Sequence, residues 1–96
     1  MFTMKGEITY IITPDAEVLL RQARLDPEVL IHRYLGGDLG EPTRTTTLMN
    51  AQIESHAEQV GRYELEGYGV ILVRRRRSGM VCVMDGASVL PFLGGL

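Results

Sequence analysis

The apolar positions of the chain change their spacing twice along its length. Residues Lys5 to Ile12 are rich in β-branched side chains, which favours a strand that Thr13-Pro14 ends. Between about residues 14 and 60 the apolar side chains recur every three or four positions, a spacing typical of helices. From Gly61 onward the pattern alternates, as it does in strands. The chain therefore predicts the element order β-α-α-α-β-β-β.

Two of the three predicted helices have well-defined start signals. Thr13 and Asp26 are each followed by a proline, and a short polar residue before proline is a typical helix start. These signals predict helices over residues 14–24 and from residue 27 to Gly36-Gly37, where glycines end the second helix. A third helix is predicted over about residues 45–60. Its start is less sharply marked, because it begins with three threonines, which are poor helix formers.

The last third of the chain predicts three short strands, over residues 62–66, 70–73 and 80–84. Gly67-Tyr68-Gly69 and Ser78-Gly79 supply the turns between them. Together with the first strand they predict an α+β fold, in which a small antiparallel sheet of three or four strands carries its helices on one face. One domain is expected over residues 1–96, with residues 1–4 and 90–96 flexible or at an interface.

Composition narrows the class of protein. The 96 residues are 45% apolar and 23% charged, which is typical of a folded globular protein and disfavours disorder. The single cysteine cannot form an internal disulfide, so a reducing cytoplasm is the predicted location. No run approaches the roughly 18 apolar residues of a membrane span, and no Cys/His spacing resembles a zinc site. Neither a membrane partner nor a metal or other cofactor is therefore expected.

Charge is concentrated in one segment, the consecutive Arg74, Arg75, Arg76 and Arg77. The whole chain has a formal charge of −2, yet outside this run six basic residues face twelve acidic ones. Strand alternation would place Arg74 and Arg76 on one face and Arg75 and Arg77 on the other. A cationic cluster acts within a Debye length of about 8–10 Å, so it can attract an anionic partner despite the acidic body.

Three interpretations of the run remain open. It is a solvated hairpin whose arginines pair with Glu64, Glu66 and Asp85, or it binds an acidic protein, or it binds nucleic acid. For nucleic acid the nearby aromatic side chain available for stacking on bases is Tyr68.

The glycine-rich loop after the second predicted helix carries the two carboxylates Asp38 and Glu41. Its spacing matches no nucleotide-binding motif, so these residues are interpreted as local caps, with cation binding as the weaker alternative. A catalytic site would have to bring His32 and His56 to Asp38, and nothing in the spacing predicts that. Cys82 lies within an apolar run and is predicted to be a buried thiol. The chain is therefore predicted not to be an enzyme.

One group of proteins shares several short stretches with this chain, spread over about residues 10–85. These stretches are Thr13-Pro14-Asp15-Ala16, Leu19-Leu20, Pro27, Leu30, His32-Arg33, Gly37-Asp38-Leu39-Gly40-Glu41, Asn50 and Gly61-Arg62. In these residues the chain resembles small uncharacterised bacterial proteins of plasmids and mobile elements, which have a TPGA start and a GDWG loop. Leu39 stands in place of their tryptophan, and the arginine run lies where they are more acidic. The resemblance brings no known activity and implies a mobile-element product with an accessory or anti-defence role.

Together these observations predict a small non-enzymatic binding protein that acts through protein contacts. A homodimer is expected, because a small sheet leaves unpaired edges and the last seven residues are largely apolar. The alternative is a nucleic-acid-binding module that uses the hairpin of residues 74–77.

Overall fold

The structure, a computed structural model, describes residues 2–5, 8–53 and 58–86. Its elements are β1 (Phe2–Lys5), β2 (Ile8–Ile12), α1 (Pro14–Ala23), α2 (Pro27–Leu35), α3 (Arg44–Ala51), β3 (Val60–Leu65), β4 (Gly69–Arg75) and β5 (Val81–Asp85). The strands form one sheet in the order β1-β2-β5-β4-β3. Three helices and one sheet make an α+β fold, which confirms the predicted class. The predicted flexible or interfacial segment 90–96 lies outside the described residues.

The sheet differs from the predicted one in strand number and in direction. The predicted strand from Lys5 to Ile12 is represented by β2, whereas β1 precedes it and includes residues 2–4, which were predicted to be flexible or at an interface. The two strands pair antiparallel with Lys5 opposite Ile8, so the described residues form a sheet of five strands instead of three or four. Strand β5 runs parallel to β2 and antiparallel to β4, so the sheet is mixed. Parallel neighbours need a long crossover, which the helices and the β3–β4 hairpin provide here.

Helices α1 and α2 begin where the capping residues predict. The Thr13 side chain accepts a hydrogen bond from the Ala16 N–H at 3.3 Å, and the Asp26 carboxylate accepts one from the Glu28 N–H at 2.9 Å. The Thr13 N–H also donates to the carbonyl of Val83 at 3.0 Å. Helix α1 therefore starts at the point where β2 leaves the sheet, and this contact joins the helix start to β5.

Helix α3 is shorter than predicted, and its last turn is bonded to the first residue of β3. Thr43, the N-cap, and Thr46, the third helical residue, form a reciprocal capping box that fixes the start of the helix at Arg44. The helix ends at Ala51, and Val60, predicted as its last residue, is the first residue of β3. The side chain of Asn50 explains this change, because its amide donates to the Val60 carbonyl and its oxygen accepts from the Val60 N–H, each at 2.9 Å.

The apolar side chains form two clusters on opposite faces of the sheet. The larger cluster lies between the sheet and helices α1 and α2, and its buried members are Tyr10, Ile12, Ala16, Leu20, Leu30, Ile31, Tyr34, Tyr63, Ile71, Val73, Val81 and Val83. The smaller one lies on the opposite face, here called the outer face, where Met49, Val70 and Met84 pack against Val60 and Leu72. The predicted one-sided packing therefore describes α1 and α2. Helix α3 lies at the β3 edge and contributes Met49 to the outer face.

Candidate functional site

The arginine run lies at the end of β4 and in the turn that leads to β5. Strand β4 ends at Arg75, after which the Arg76 N–H donates to the Met80 carbonyl at 2.7 Å. The Gly79 N–H donates back to the Arg76 carbonyl at 2.8 Å and closes the turn, as Ser78-Gly79 had predicted. All six residues from 74 to 79 are exposed. The run is therefore available to a partner over its whole length.

A cavity of about 310 Å³ opens on the outer face beside this turn. Its lining residues are Glu58, Arg74, Arg76, Arg77, Ser78, Cys82 and Met84. We call this space the arginine cavity. Three of the four arginines and Ser78 thus share one concave surface. Guanidinium groups present planar forks of N–H donors, so this lining suits a carboxylate or phosphate.

The predicted division of the arginines into two pairs on opposite faces is wrong for Arg77. Alternation applies to Arg74, which lies opposite Cys82 on the outer face, and to Arg75, which lies opposite Val81. Because the strand stops at Arg75, alternation does not continue into the turn, and Arg77 lines the arginine cavity together with Arg74 and Arg76. Three arginines of the run therefore line one cavity.

Arg75 has a structural contact through its backbone. Its N–H donates to the hydroxyl of Tyr34 at 2.9 Å, and the same hydroxyl donates to the carbonyl of Gln59. Burial raises the pKa of Tyr34, which keeps this hydroxyl protonated and able to donate. The Tyr34 side chain therefore joins α2 to the end of β4 and to the segment that enters β3, beside the arginine cavity.

The acidic residues predicted to neutralise the run lie elsewhere. Glu64 accepts a hydrogen bond from Arg62 at 2.6 Å, and Asp85 lies opposite Ile71, at the far end of β5 from the turn. Glu66 lies in the β3–β4 turn, also at the far end of β4. The carboxylate beside the run is instead Glu58, whose Oε1 is 3.7 Å from the Nε of Arg77.

Tyr68 is also separated from the arginines. It lies in the β3–β4 turn with 54% of its surface exposed. Arg74 lies six positions further along the chain, at the other end of β4, which corresponds to about 20 Å of extended strand. The structure does not bring Tyr68 and the arginine run together, so this ring cannot stack on a base that the arginines hold.

Asp38, the first of the two loop carboxylates, has a local role. Its Oδ2 accepts from the Nε of Arg33 at 2.7 Å, and its Oδ1 accepts from the Gly40 N–H at 2.9 Å. The hydrogen bond from Arg33 holds the pKa of Asp38 below its usual value. The carbonyl of Asp38 accepts from the buried hydroxyl of Tyr63 at 2.7 Å. These contacts fit the predicted local cap and fix the loop against β3.

The rest of this loop covers the outer edge of β3. The Arg62 N–H donates to the Leu39 carbonyl at 3.0 Å, and the Glu41 N–H donates to the Arg62 carbonyl at 2.7 Å. The Arg62 side chain then donates to the Glu41 carbonyl at 2.8 Å. Across the described ranges, no group of three or more His, Cys, Asp or Glu side chains is placed to hold a metal ion. The contacts of this loop therefore cover the edge of β3.

The histidines and the cysteine occupy different places from those considered in the sequence. His32 is exposed on α2, and the Asp38 carboxylate is bonded to Arg33 instead. His56 lies outside the described residues. Cys82 is half-buried and lines the arginine cavity, so the predicted fully buried thiol is wrong. Sequence reasoning also missed Glu58 and Ser78, of which only Ser78 carried a signal, its place in the turn directly after the run.

A second cavity, of about 260 Å³, lies between β2 and the helices α1 and α2. Tyr10, Ile12, Leu20 and Leu25 contribute to its walls, with Asp26 at the start of α2. Burial, with Glu28 and Asp26 nearby, raises the pKa of Tyr10. This cavity lacks the converging cations of the first, and the arginine cavity is therefore the stronger candidate site.

Comparison of the chain with protein-family models, with curated proteins and with solved structures found no match. In the portion of the chain that the structure describes, no helix is long and apolar enough to cross a membrane.

Proposed function

We propose that this protein is a small non-enzymatic binding protein that acts through protein contacts and holds an anionic segment of its partner in the arginine cavity. One observation carries the proposal: Arg74, Arg76 and Arg77 line the same cavity with Ser78, and among the described lining residues only Glu58 carries a carboxylate. Repulsion between the guanidinium groups around the cavity is unfavourable, and an anion from a partner would offset this repulsion.

The distribution of charge favours a compact anionic group over a long polyanion. Outside the run the chain carries six basic and twelve acidic residues. A field that acts over about 8–10 Å attracts an anion within the cavity, whereas a nucleic acid that extends beyond it meets an acidic surface. The distance of Tyr68 from the run also removes the expected stacking platform for bases. An anionic protein segment is therefore the preferred ligand, and nucleic acid is the alternative that the experiment below separates.

Binding should depend on the cavity arginines and not on positive charge in general. The probe is a fluorescent peptide with one phosphoserine between glutamates, followed by anisotropy at low salt. Replacing Arg74, Arg76 and Arg77 with glutamine should weaken binding at least tenfold, because the charge-assisted hydrogen bonds to the anion are lost. As a charge-matched control, Arg21, Arg24 and Arg44, which are exposed on the helices or beside them, are replaced together. That control should stay within about twofold of the wild type.

Two results would count against the proposal. Equal weakening by the cavity variant and the control would mean that binding is nonspecific. Tighter, arginine-dependent binding of a single-stranded DNA octamer, with the steep salt dependence of phosphate contacts, would favour the nucleic-acid alternative.

A homodimer is the second part of the proposal, and the outer side of β1 is the sheet edge through which two chains would pair. The loop of residues 39–41 covers the outer side of β3 through its bonds to Arg62. Strand β1 is the other outermost strand, and among the described residues no strand pairs with its outer side. Light scattering over a range of concentrations should therefore approach twice the 10.7 kDa chain mass. A mass of one chain at the highest concentration would exclude the dimer.

The cellular context of the proposal rests on the resemblance to mobile-element proteins. A protein of this size that binds one partner without catalysis would suit an accessory or anti-defence role. Its single cysteine agrees with the reducing cytoplasm as the place of action.

A further inference from the structure

Among the described residues that line the arginine cavity, Glu58 carries the one carboxylate. Its side chain is 22% exposed, whereas that of its nearest cation, Arg77, is 93% exposed. The carboxylate therefore lies against the wall of the cavity while the guanidinium lies in solvent. At 3.7 Å the two groups form a loose ion pair, which a stronger anion could separate.

The backbone beside Glu58 is held by several hydrogen bonds. The backbone carbonyl of Gln59 accepts from the Tyr34 hydroxyl, and the side-chain amide of Gln59 donates to the backbone carbonyl of Asn50 at 3.3 Å. Val60 is bonded through both backbone groups to the Asn50 side chain. Val60 also lies opposite Arg74 at the start of β3, two residues after Glu58. These contacts keep the carboxylate next to the arginines.

The chemistry of the cavity then distinguishes between anions. A single carboxylate from a partner would compete with the carboxylate of Glu58 for Arg77, so its binding brings a smaller gain. A phosphomonoester carries about −1.5 to −2 charges and three acceptor oxygens at neutral pH. It can engage several guanidinium forks at once. The cavity volume of about 310 Å³ has room for a phosphoryl group and the side chain that carries it.

We propose that the arginine cavity is a site for the phosphomonoester of a phosphorylated protein segment, and that Glu58 is a built-in competing anion that excludes single carboxylates. This assignment rests on the proposed function, that the cavity binds an anionic segment of a partner. Arg74, Arg76 and Arg77 hold the phosphoryl oxygens, the Ser78 hydroxyl donates to one of them, and Glu58 moves aside.

The experiment compares three otherwise identical peptides that carry phosphoserine, aspartate or serine at the central position. The wild type should bind the phosphoserine peptide at least fivefold more tightly than the aspartate peptide. Glu58→Gln should tighten binding of the phosphoserine peptide about two- to fivefold, the range expected for loss of an exposed ion pair. Glu66→Gln, which removes the same charge in the distant β3–β4 turn, should leave binding unchanged. Thermal melting of each variant checks that it is folded.

A second measurement tests whether the anion binds in the arginine cavity. Cys82 lines the cavity and is the only cysteine of the chain, so its rate of alkylation by iodoacetamide reports on access to the site. Inorganic phosphate should slow this reaction in the wild type and not in the variant that lacks the three arginines. If phosphate does not slow alkylation of the wild type, the anion does not bind in the arginine cavity.

The outcomes separate this inference from the proposed function. If the phosphoserine and serine peptides bind equally, or if Glu58→Gln and Glu66→Gln behave alike, the inference is wrong while an anionic partner remains supported. If no peptide binds, the proposed function fails as well. Tighter binding of a 5′-phosphorylated oligonucleotide than of the phosphoserine peptide would overturn the assignment to a protein segment.

Discussion

Replacing Gly40 with alanine is expected to lower the free energy of unfolding by about 2–4 kcal/mol. A Cβ at this position would lie 2.2 Å from the Arg62 carbonyl oxygen and 2.6 Å from Cδ1 of Tyr63. Residue 40 also has a φ of +74°, which costs a residue with a Cβ about 1 kcal/mol or more. Steric crowding of packed groups adds about 1–3 kcal/mol. Relief of the crowding would move the loop away from β3 and weaken its bonds to Arg62.

Gly37→Ala is the matched control for this prediction. It lies in the same loop with a φ of +94°, but a Cβ there would meet nothing within 4 Å. Only the conformational cost of about 1 kcal/mol remains. Urea denaturation of both variants measures the difference. Equal losses of stability would show that the close approach of Gly40 to β3 does not stabilise the fold.

Replacing Asn50 with alanine should lower the free energy of unfolding by a similar amount, about 2–4 kcal/mol. The Asn50 side chain satisfies both backbone groups of Val60, which is 2% exposed, and alanine would leave this N–H and carbonyl without partners. Each buried polar group left unpaired costs about 1–3 kcal/mol. The loss should also free the backbone that holds Glu58, so phosphoserine-peptide binding is expected to tighten, as is expected for Glu58→Gln.

Gln52→Ala is the control for Asn50→Ala. Gln52 follows α3 and is exposed, so truncation of its side chain should change stability by less than about 0.5 kcal/mol. Chemical denaturation gives both values, and the peptide titration gives the second effect. An Asn50→Ala protein as stable as Gln52→Ala would mean that the Asn50–Val60 pair contributes little.

The parts of the fold that sequence predicts well are those set by neighbouring residues. Thr13 and Asp26 mark helix starts because their side chains bond to backbone two or three residues away. The end of α3 depends instead on Asn50 and Val60, which are ten residues apart, and no local pattern contains that information. The additional strand β1 is similar, since residues 2–5 contain no β-branched run and their place in the sheet depends on pairing with β2.

The position of the arginine run in a hairpin was predicted from the sequence, but the arrangement of its side chains was not. The arginine run marked the hairpin, and Ser78-Gly79 marked its turn. The convergence of three arginines depends on where β4 stops, and a pattern of alternation does not show that a strand ends at Arg75. Glu58 enters the cavity through the anchoring of β3, a tertiary contact for which its sequence neighbourhood gave no sign.

The central place of β5 in the sheet has a consequence for how the protein folds. Strand β5 is last along the described chain, yet it joins the β1–β2 hairpin to the β3–β4 hairpin, with Tyr10 opposite Val81. Closing so long a loop is slow compared with forming either hairpin. During synthesis the two hairpins therefore have no common sheet until β5 arrives. Cys82 and Met84 arrive with it, so the arginine cavity is completed only in the last step of folding.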